Sequence, residues 1–150
     1  MTISPLDSGC SCGALRQAAR HATRFYDSVL SPSGLGLNQY SILSKLDRFG
    51  PKTLQELANI LVMDRSTLGH LLRPLEARGL IGMKAAPKDR RARIISLTTA
   101  GNAIMRQAKP LWAKAETEFQ RQFGADTAAS LRQLLKDVTR IELGAHTGAA

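Results

Sequence analysis

The sequence predicts a mainly α-helical chain carrying one small β-hairpin, and three observations say so. Apolar residues recur every three or four positions through most of the 150 residues; that period changes to a strand-like one only near residues 80–98; and capping and stop residues fall where the period breaks. The length suits a single domain spanning residues 1–150, with 43% hydrophobic residues to build a core and 22% charged residues to keep it in water. No run approaches the roughly 18 apolar residues that cross a bilayer, and Met1 to Gly13 lacks the basic-then-apolar order of a secretory signal, so no membrane partner and a cytoplasmic location are expected.

Each element follows from local chemistry. Leu15, Ala18, Ala19, Ala22, Tyr26, Val29 and Leu30 keep helical spacing and predict a first amphipathic helix over about residues 13–30. Ser31-Pro32-Ser33-Gly34 stops it, and a second helix from near Asn38 carries Ile42, Leu43, Leu46 and Phe49 on its buried side before Gly50-Pro51. Thr53-Leu54-Gln55-Glu56 has capping-box spacing and opens a short third helix with Leu57, Ala58 and Leu61 inward. Asp64 is a good N-cap for a fourth helix running towards Arg78, with Leu68, Leu71, Leu72 and Leu75 on one side, an expected bend at Pro74 and Gly79 as its stop.

Beyond Gly79, residues 80–85 and 93–98 read as paired short strands around the polar turn Pro87-Lys88-Asp89-Arg90-Arg91-Ala92. Helical spacing resumes at Thr99 and runs through Trp112 to Phe123, with a kink expected at Pro110; a last helix carries Leu131, Leu134, Leu135, Val138 and Ile141. Gly144 to Ala150 is small and polar and is expected to fray.

Charge points to the partner. The chain carries 21 Lys and Arg against 12 Asp and Glu, a net charge of +9, and the excess is central: residues 51–100 hold nine basic and four acidic side chains. Polyanions are the natural partners of such a module. The order helix, helix, turn, helix, basic hairpin over about residues 37–98 is that of a winged helix-turn-helix, whose outer helix suits the major groove of a duplex while the hairpin lies along the adjacent minor groove. At about 100° per residue, Ser66, His70 and Arg73 fall opposite the leucines of the fourth helix. With Arg65 and Thr67 they form the candidate groove-reading set. Lys88, Arg90, Arg91 and Arg93 suit a narrow minor groove, and Asp89 is expected to orient an arginine through a charge-assisted hydrogen bond.

These residues carry a resemblance. Asp64-Arg65-Ser66-Thr67-Leu68, Leu75-Glu76-Ala77-Arg78-Gly79-Leu80-Ile81, Asp89-Arg90-Arg91-Ala92-Arg93 and Leu97-Thr98-Thr99-Ala100-Gly101 look like the MarR family of bacterial regulators. The resemblance covers nearly the whole chain. It implies a homodimer whose terminal helices, about residues 13–30 and 99–143, interlock, and whose two lobes bind a palindromic site. It also matches Asp89 and Arg91 to the wing's Asp-x-Arg, with the arginine in the minor groove, and it implies repression relieved by a small aromatic ligand or an oxidant. Independently, the first and last helices are more apolar than one small lobe can cover, which also favours a partner chain.

Other residues invite a function less strongly. Cys10 and Cys12 precede the first helix, with Arg16 four residues beyond Cys12; the helix terminus and Arg16 would favour a thiolate there, which makes the pair a candidate redox sensor, against the alternative of two incidental thiols. Together with His21 they offer fewer ligands than structural zinc takes, so no metal is expected. Tyr26, Tyr40 and Trp112 are candidates for an aromatic ligand pocket, against the plainer reading as core. The chain shows no phosphate-cradling glycine loop, nucleophile elbow or HExxH pair, so no enzyme, catalytic residue or cofactor is expected. An RNA-binding module or a thiol redox protein are the alternatives; against the first, residues 51–100 contain no Phe, Tyr or Trp for base stacking.

Overall fold

The computed structural model describes residues 9–144, so most of the tail expected to fray lies outside the described residues. Among the described residues the six expected α-helices and the two expected hairpin strands appear in order, with one further strand, β1: α1 (Ser11–Leu30), α2 (Leu37–Phe49), β1 (Lys52–Thr53), α3 (Leu54–Leu61), α4 (Arg65–Ala77), β2 (Ile81–Ala85), β3 (Arg93–Leu97), α5 (Thr99–Phe123) and α6 (Ala125–Arg140). The chain divides into two compact units, residues 1–115 and 116–150.

In the first unit the leucines with helical spacing do what their period requires. Leu43, Leu57, Leu68, Leu72 and Leu75 are fully buried in one core with Leu30, Ile42 and Ile95. Burying an aliphatic side chain of this size contributes about 1.5–3 kcal/mol. Two caps set where the central helices begin. Thr53 and Glu56 close the predicted box, with Glu56 Oε2 accepting the Thr53 N–H at 2.7 Å and Thr53 Oγ1 accepting the Glu56 N–H at 3.2 Å. Asp64 caps α4 by accepting the Thr67 N–H at 2.7 Å.

The hairpin is antiparallel with Ile81 opposite Leu97 and Ala85 opposite Arg93. Its sheet has a third strand that the sequence does not announce: Lys52 and Thr53 pair with Ile95 and Ile94, giving the order β1-β3-β2. Phe49 also departs from expectation. It stands 44% exposed at the end of α2, with the Arg48 guanidinium 5.2 Å above its ring, because the helix ends there and leaves the residue beyond the core's edge. Pro74 lies inside α4 and Pro110 inside α5, and both helices run on through them.

A close approach fixes the start of α5. Thr98 Oγ1 donates to the Gly79 carbonyl at 2.5 Å and accepts the Gly101 N–H at 3.0 Å, while the Thr98 N–H donates to the Leu80 carbonyl at 3.1 Å. Gly101 is buried against Leu80, and a Cβ built there would overlap the Leu80 carbonyl oxygen and lie 3.1 Å from its carbon. Only glycine fits.

In the second unit, Glu116 accepts from Gln120 at 2.9 Å and from Arg132 of α6 at 3.1 Å, and the rings of Phe119 and Phe123 lie 5.4 Å apart, tilted by 34°. Here the apolar stripe of α6 stays open in the single chain, with Leu134 at 64% exposure, and Ile141, just past the helix, stands 57% exposed. No described helix is long and apolar enough to cross a membrane.

Candidate nucleic-acid interface

The interface is built on α4 and the hairpin. Because Leu68, Leu72 and Leu75 anchor one side of α4 in the core, Arg65, Ser66, His70 and Arg73 are all exposed. Thr67 is exposed too, but its hydroxyl is committed. Oγ1 donates to Asp64 Oδ2 at 2.6 Å, so toward any further partner it offers lone pairs and a methyl group. The same two Thr67 hydrogen bonds, side chain first, lower the Asp64 carboxyl below its ordinary range and keep the cap charged.

At the tip, Lys88, Asp89, Arg90 and Arg91 are exposed, as are Lys84 and Arg93 on the strands. The loop is closed by the Ala86 N–H to the Ala92 carbonyl at 2.8 Å and the Ala92 N–H to the Asp89 carbonyl at 3.0 Å. Asp89 acts differently from expectation: Oδ1 accepts the backbone N–H of Arg91 at 2.9 Å, and no guanidinium forms an ion pair with it among the described residues. An aspartate two residues before an amide closes an Asx turn more readily than it recruits a long, solvated side chain. It orients Arg91 through the main chain.

Not every cation of residues 51–100 faces outward unengaged. Lys52 Nζ donates to the Phe49 and Pro51 carbonyls at 2.9 and 3.3 Å, and Arg78 donates to the Gly34 carbonyl at 3.0 Å. Arg65, Arg73, Lys84, Lys88, Arg90, Arg91 and Arg93 have no acidic partner among the described residues. All seven stand exposed on α4 and the hairpin, beside the exposed carboxylates of Asp64, Glu76 and Asp89.

The segment that contains α4 and most of the hairpin has a match among known families. The MarR family model matches residues 35–92. The multiple antibiotic resistance protein MarR of Escherichia coli is 30% identical over 116 residues, covering 77% of this chain and 81% of the relative. The chain belongs to the MarR family. It is therefore a DNA-binding transcriptional regulator with a winged helix fold. A mutant MarR from E. coli complexed with operator DNA superposes with a TM-score of 0.79 at 27% identity, covering 91% of this chain and 99% of that one. The transcriptional repressor CouR, bound to a 23-mer DNA duplex, matches with a TM-score of 0.79 at 30% identity, covering 89% and 94%.

The remaining candidates of this MarR-family chain separate. Cys10 and Cys12 are both exposed and unpaired as thiols. The sulfur that meets the helix terminus is that of Cys10, which caps α1 by accepting the Gly13 N–H at 3.3 Å, whereas Cys12 sits one residue inside the helix. Tyr40 and Trp112 stack at 6.0 Å with planes 13° apart and line a cleft of about 300 Å³ with Leu37, Ser41, Ser44, Lys45 and Arg48. Burial, and then the Asp47 charge, push the Tyr40 hydroxyl above its ordinary value and keep it protonated. Tyr26 is not among the residues lining that cleft; it is buried, with the Phe25 ring edge to face at 5.5 Å. Lys45 and Arg48 escaped the sequence reading. Their spacing held the signal, since Leu37, Ser41 and Lys45, and Tyr40, Ser44 and Arg48, each recur every fourth residue and share one flank of α2.

Proposed function

We propose that the chain is a repressor that binds a palindromic operator as a homodimer, with α4 in the major groove and the hairpin tip in the minor groove. The observation that carries this reading is the set of seven cations without acidic partners on α4 and the hairpin, beside the exposed hydroxyl and imidazole of Ser66 and His70. Arg65, Ser66, Thr67, His70 and Arg73 read or anchor the major groove; Lys88, Arg90, Arg91 and Arg93 enter or flank the minor groove, and Asp89 holds Arg91 in place. Residues 1–150 act as one MarR-like domain in which the open apolar stripe of α6 and the helix α1 meet a second copy, and two-fold symmetry sets half-sites about 34 Å apart. The protein is cytoplasmic and has no catalytic role.

Release follows when a small aromatic acid occupies the cleft beside Tyr40 and Trp112, where Lys45 and Arg48 supply positive charge, or when Cys10 and Cys12 are oxidised. Footprinting on the region upstream of its own gene, with and without peroxide and salicylate, tests this. Protection of an inverted repeat that fades with either additive is expected. Protection without symmetry would overturn the dimeric operator, and protection indifferent to both additives would overturn the release model. Equal affinity for duplex DNA and heparin would overturn the operator reading altogether.

A further inference from the structure

The connection between α1 and α2 is held from both sides by side chains distant in sequence. From α1, Asp27 Oδ1 accepts the N–H of Leu37, the first residue of α2, at 2.6 Å. From the C-terminal cap of α4, Arg78 Nη1 donates to the Gly34 carbonyl at 3.0 Å and to Gln39 Oε1 at 3.5 Å, and the same Gln39 oxygen accepts the Gly36 N–H at 3.3 Å. Between these anchors Ser33 is buried, donating to the Leu30 carbonyl at 2.7 Å and accepting the Leu35 N–H at 3.3 Å. Helices α1, α2 and α4 thus meet in one hydrogen-bonded node.

Its place gives the node leverage. Ser66 lies twelve residues before Arg78, or about 18 Å along the helix, so a tilt of about 5° at the Arg78 end moves the groove-facing end by roughly 1.6 Å. A base-edge hydrogen bond does not survive such a shift. A phosphate held by a long flexible side chain does. Of the nine basic residues of 51–100, Arg78 is one whose guanidinium already serves protein carbonyl and amide oxygens; both bonds leave from one nitrogen, Nη1, whose two hydrogens lie in the fixed plane of the guanidinium, unlike those of a freely rotating lysine ammonium.

We infer that Arg78 is a positioning residue for DNA recognition: without touching DNA, it fixes the pitch of α4 against α1 and α2 and so selects specific over non-specific binding. This rests on the reading that α4 enters the groove. The test uses the full chain, a duplex enriched on the wild-type protein from a random-sequence pool, and a scrambled duplex of equal length. Arg78→Ala is expected to weaken the enriched duplex about tenfold, the scale of a lost hydrogen bond from a charged group, while leaving the scrambled duplex and the salt slope unchanged. Arg78→Lys, which keeps the charge and loses the fixed planar geometry of the donor, falls with it. Gln39→Ala weakens binding in the same selective way, and the double variant is no worse than Arg78→Ala alone, as for two groups in one network.

Unchanged affinity of Arg78→Ala for the enriched duplex overturns the inference, as does equal loss on both duplexes with a salt slope shallower by about 0.9, the mark of a direct phosphate contact. Should Arg78→Ala lose cooperative thermal unfolding, Arg78→Lys and Gln39→Ala decide by the same criteria. Arg73→Ala is the control for the underlying reading. If it alters neither affinity nor slope, or if the wild-type chain enriches no duplex, the groove-reading role of α4 fails and the Arg78 role with it; an Arg73→Ala effect without an Arg78→Ala effect sinks the latter alone.

Discussion

Arg91→Ala gives the sharpest quantitative prediction. The structure limits how many counterions DNA binding can release, because Lys52 and Arg78 are already engaged by carbonyl oxygens while Arg65, Arg73, Lys84, Lys88, Arg90, Arg91 and Arg93 are exposed without acidic partners. Each phosphate neutralised contributes about −0.9 to the slope of log K against log salt concentration, so one protomer's slope has a ceiling near −6. Removing Arg91 makes the slope shallower by about 0.9 per protomer, or about 1.8 for two protomers on one duplex. Between about 50 and 200 mM salt, one contact is then worth roughly a 3.5-fold difference in how steeply affinity falls. Fluorescence anisotropy with a labelled duplex at four or more salt concentrations measures it. Arg91→Lys should retain most of the slope. If Arg91→Ala weakens binding with an unaltered slope, the residue does not neutralise phosphate and the cation count behind the interface is wrong.

Three further outcomes follow from the packing. Gly101→Ala, which in an ordinary helix interior would stabilise by about 1 kcal/mol, should instead cost more than about 2 kcal/mol in urea unfolding, because the Leu80 carbonyl occupies the space of the added methyl; a stabilised variant would refute the close approach. Val62 caps α3 with φ of 51°, a left-handed conformation hard on a β-branched residue, and it is 73% exposed, so Val62→Gly should raise stability by about 1 kcal/mol, read as a higher denaturation midpoint. Glu118, hydrogen-bonded by Arg121 and then Gln122, has its carboxyl lowered to about 2 from 4.5. Its folded value lies below its unfolded one, so its contribution is fully present above about 4.5 and is lost as pH falls toward about 2. Melting temperatures across that window should fall less steeply for Glu118→Gln; parallel curves would count against the contact.

What was legible in the sequence was local. The Thr53–Glu56 box and the Asp64 cap lie within four residues of their partners, and the leucines of α4 declare their face by period alone. Features that depend on distant partners were not. Lys52 and Thr53 become a strand only by pairing with residues more than forty positions on, and no local pattern links Arg78 to Gly34. Phe49 fitted the apolar period of α2 yet lies past the end of the core that the period points into. Charge alone points Asp89 to a guanidinium, whereas the nearer amide of Arg91 takes it. The same division holds at the cleft, where chemistry alone points to Tyr40 and Trp112, Tyr26 is not among the lining residues, and the basic flank needs the helix to be turned to view.

The central strand of the sheet has one more consequence. Since β3 is bonded on one edge to β2 and on the other to the two residues that lead into α3, the hairpin is tied through its central strand to the first helix of the helix-turn-helix, while the seven residues between the strands hang from a closed loop. The tip is therefore an exchangeable cassette: its length and charge can be rewritten to suit another stretch of DNA without disturbing the frame that carries it.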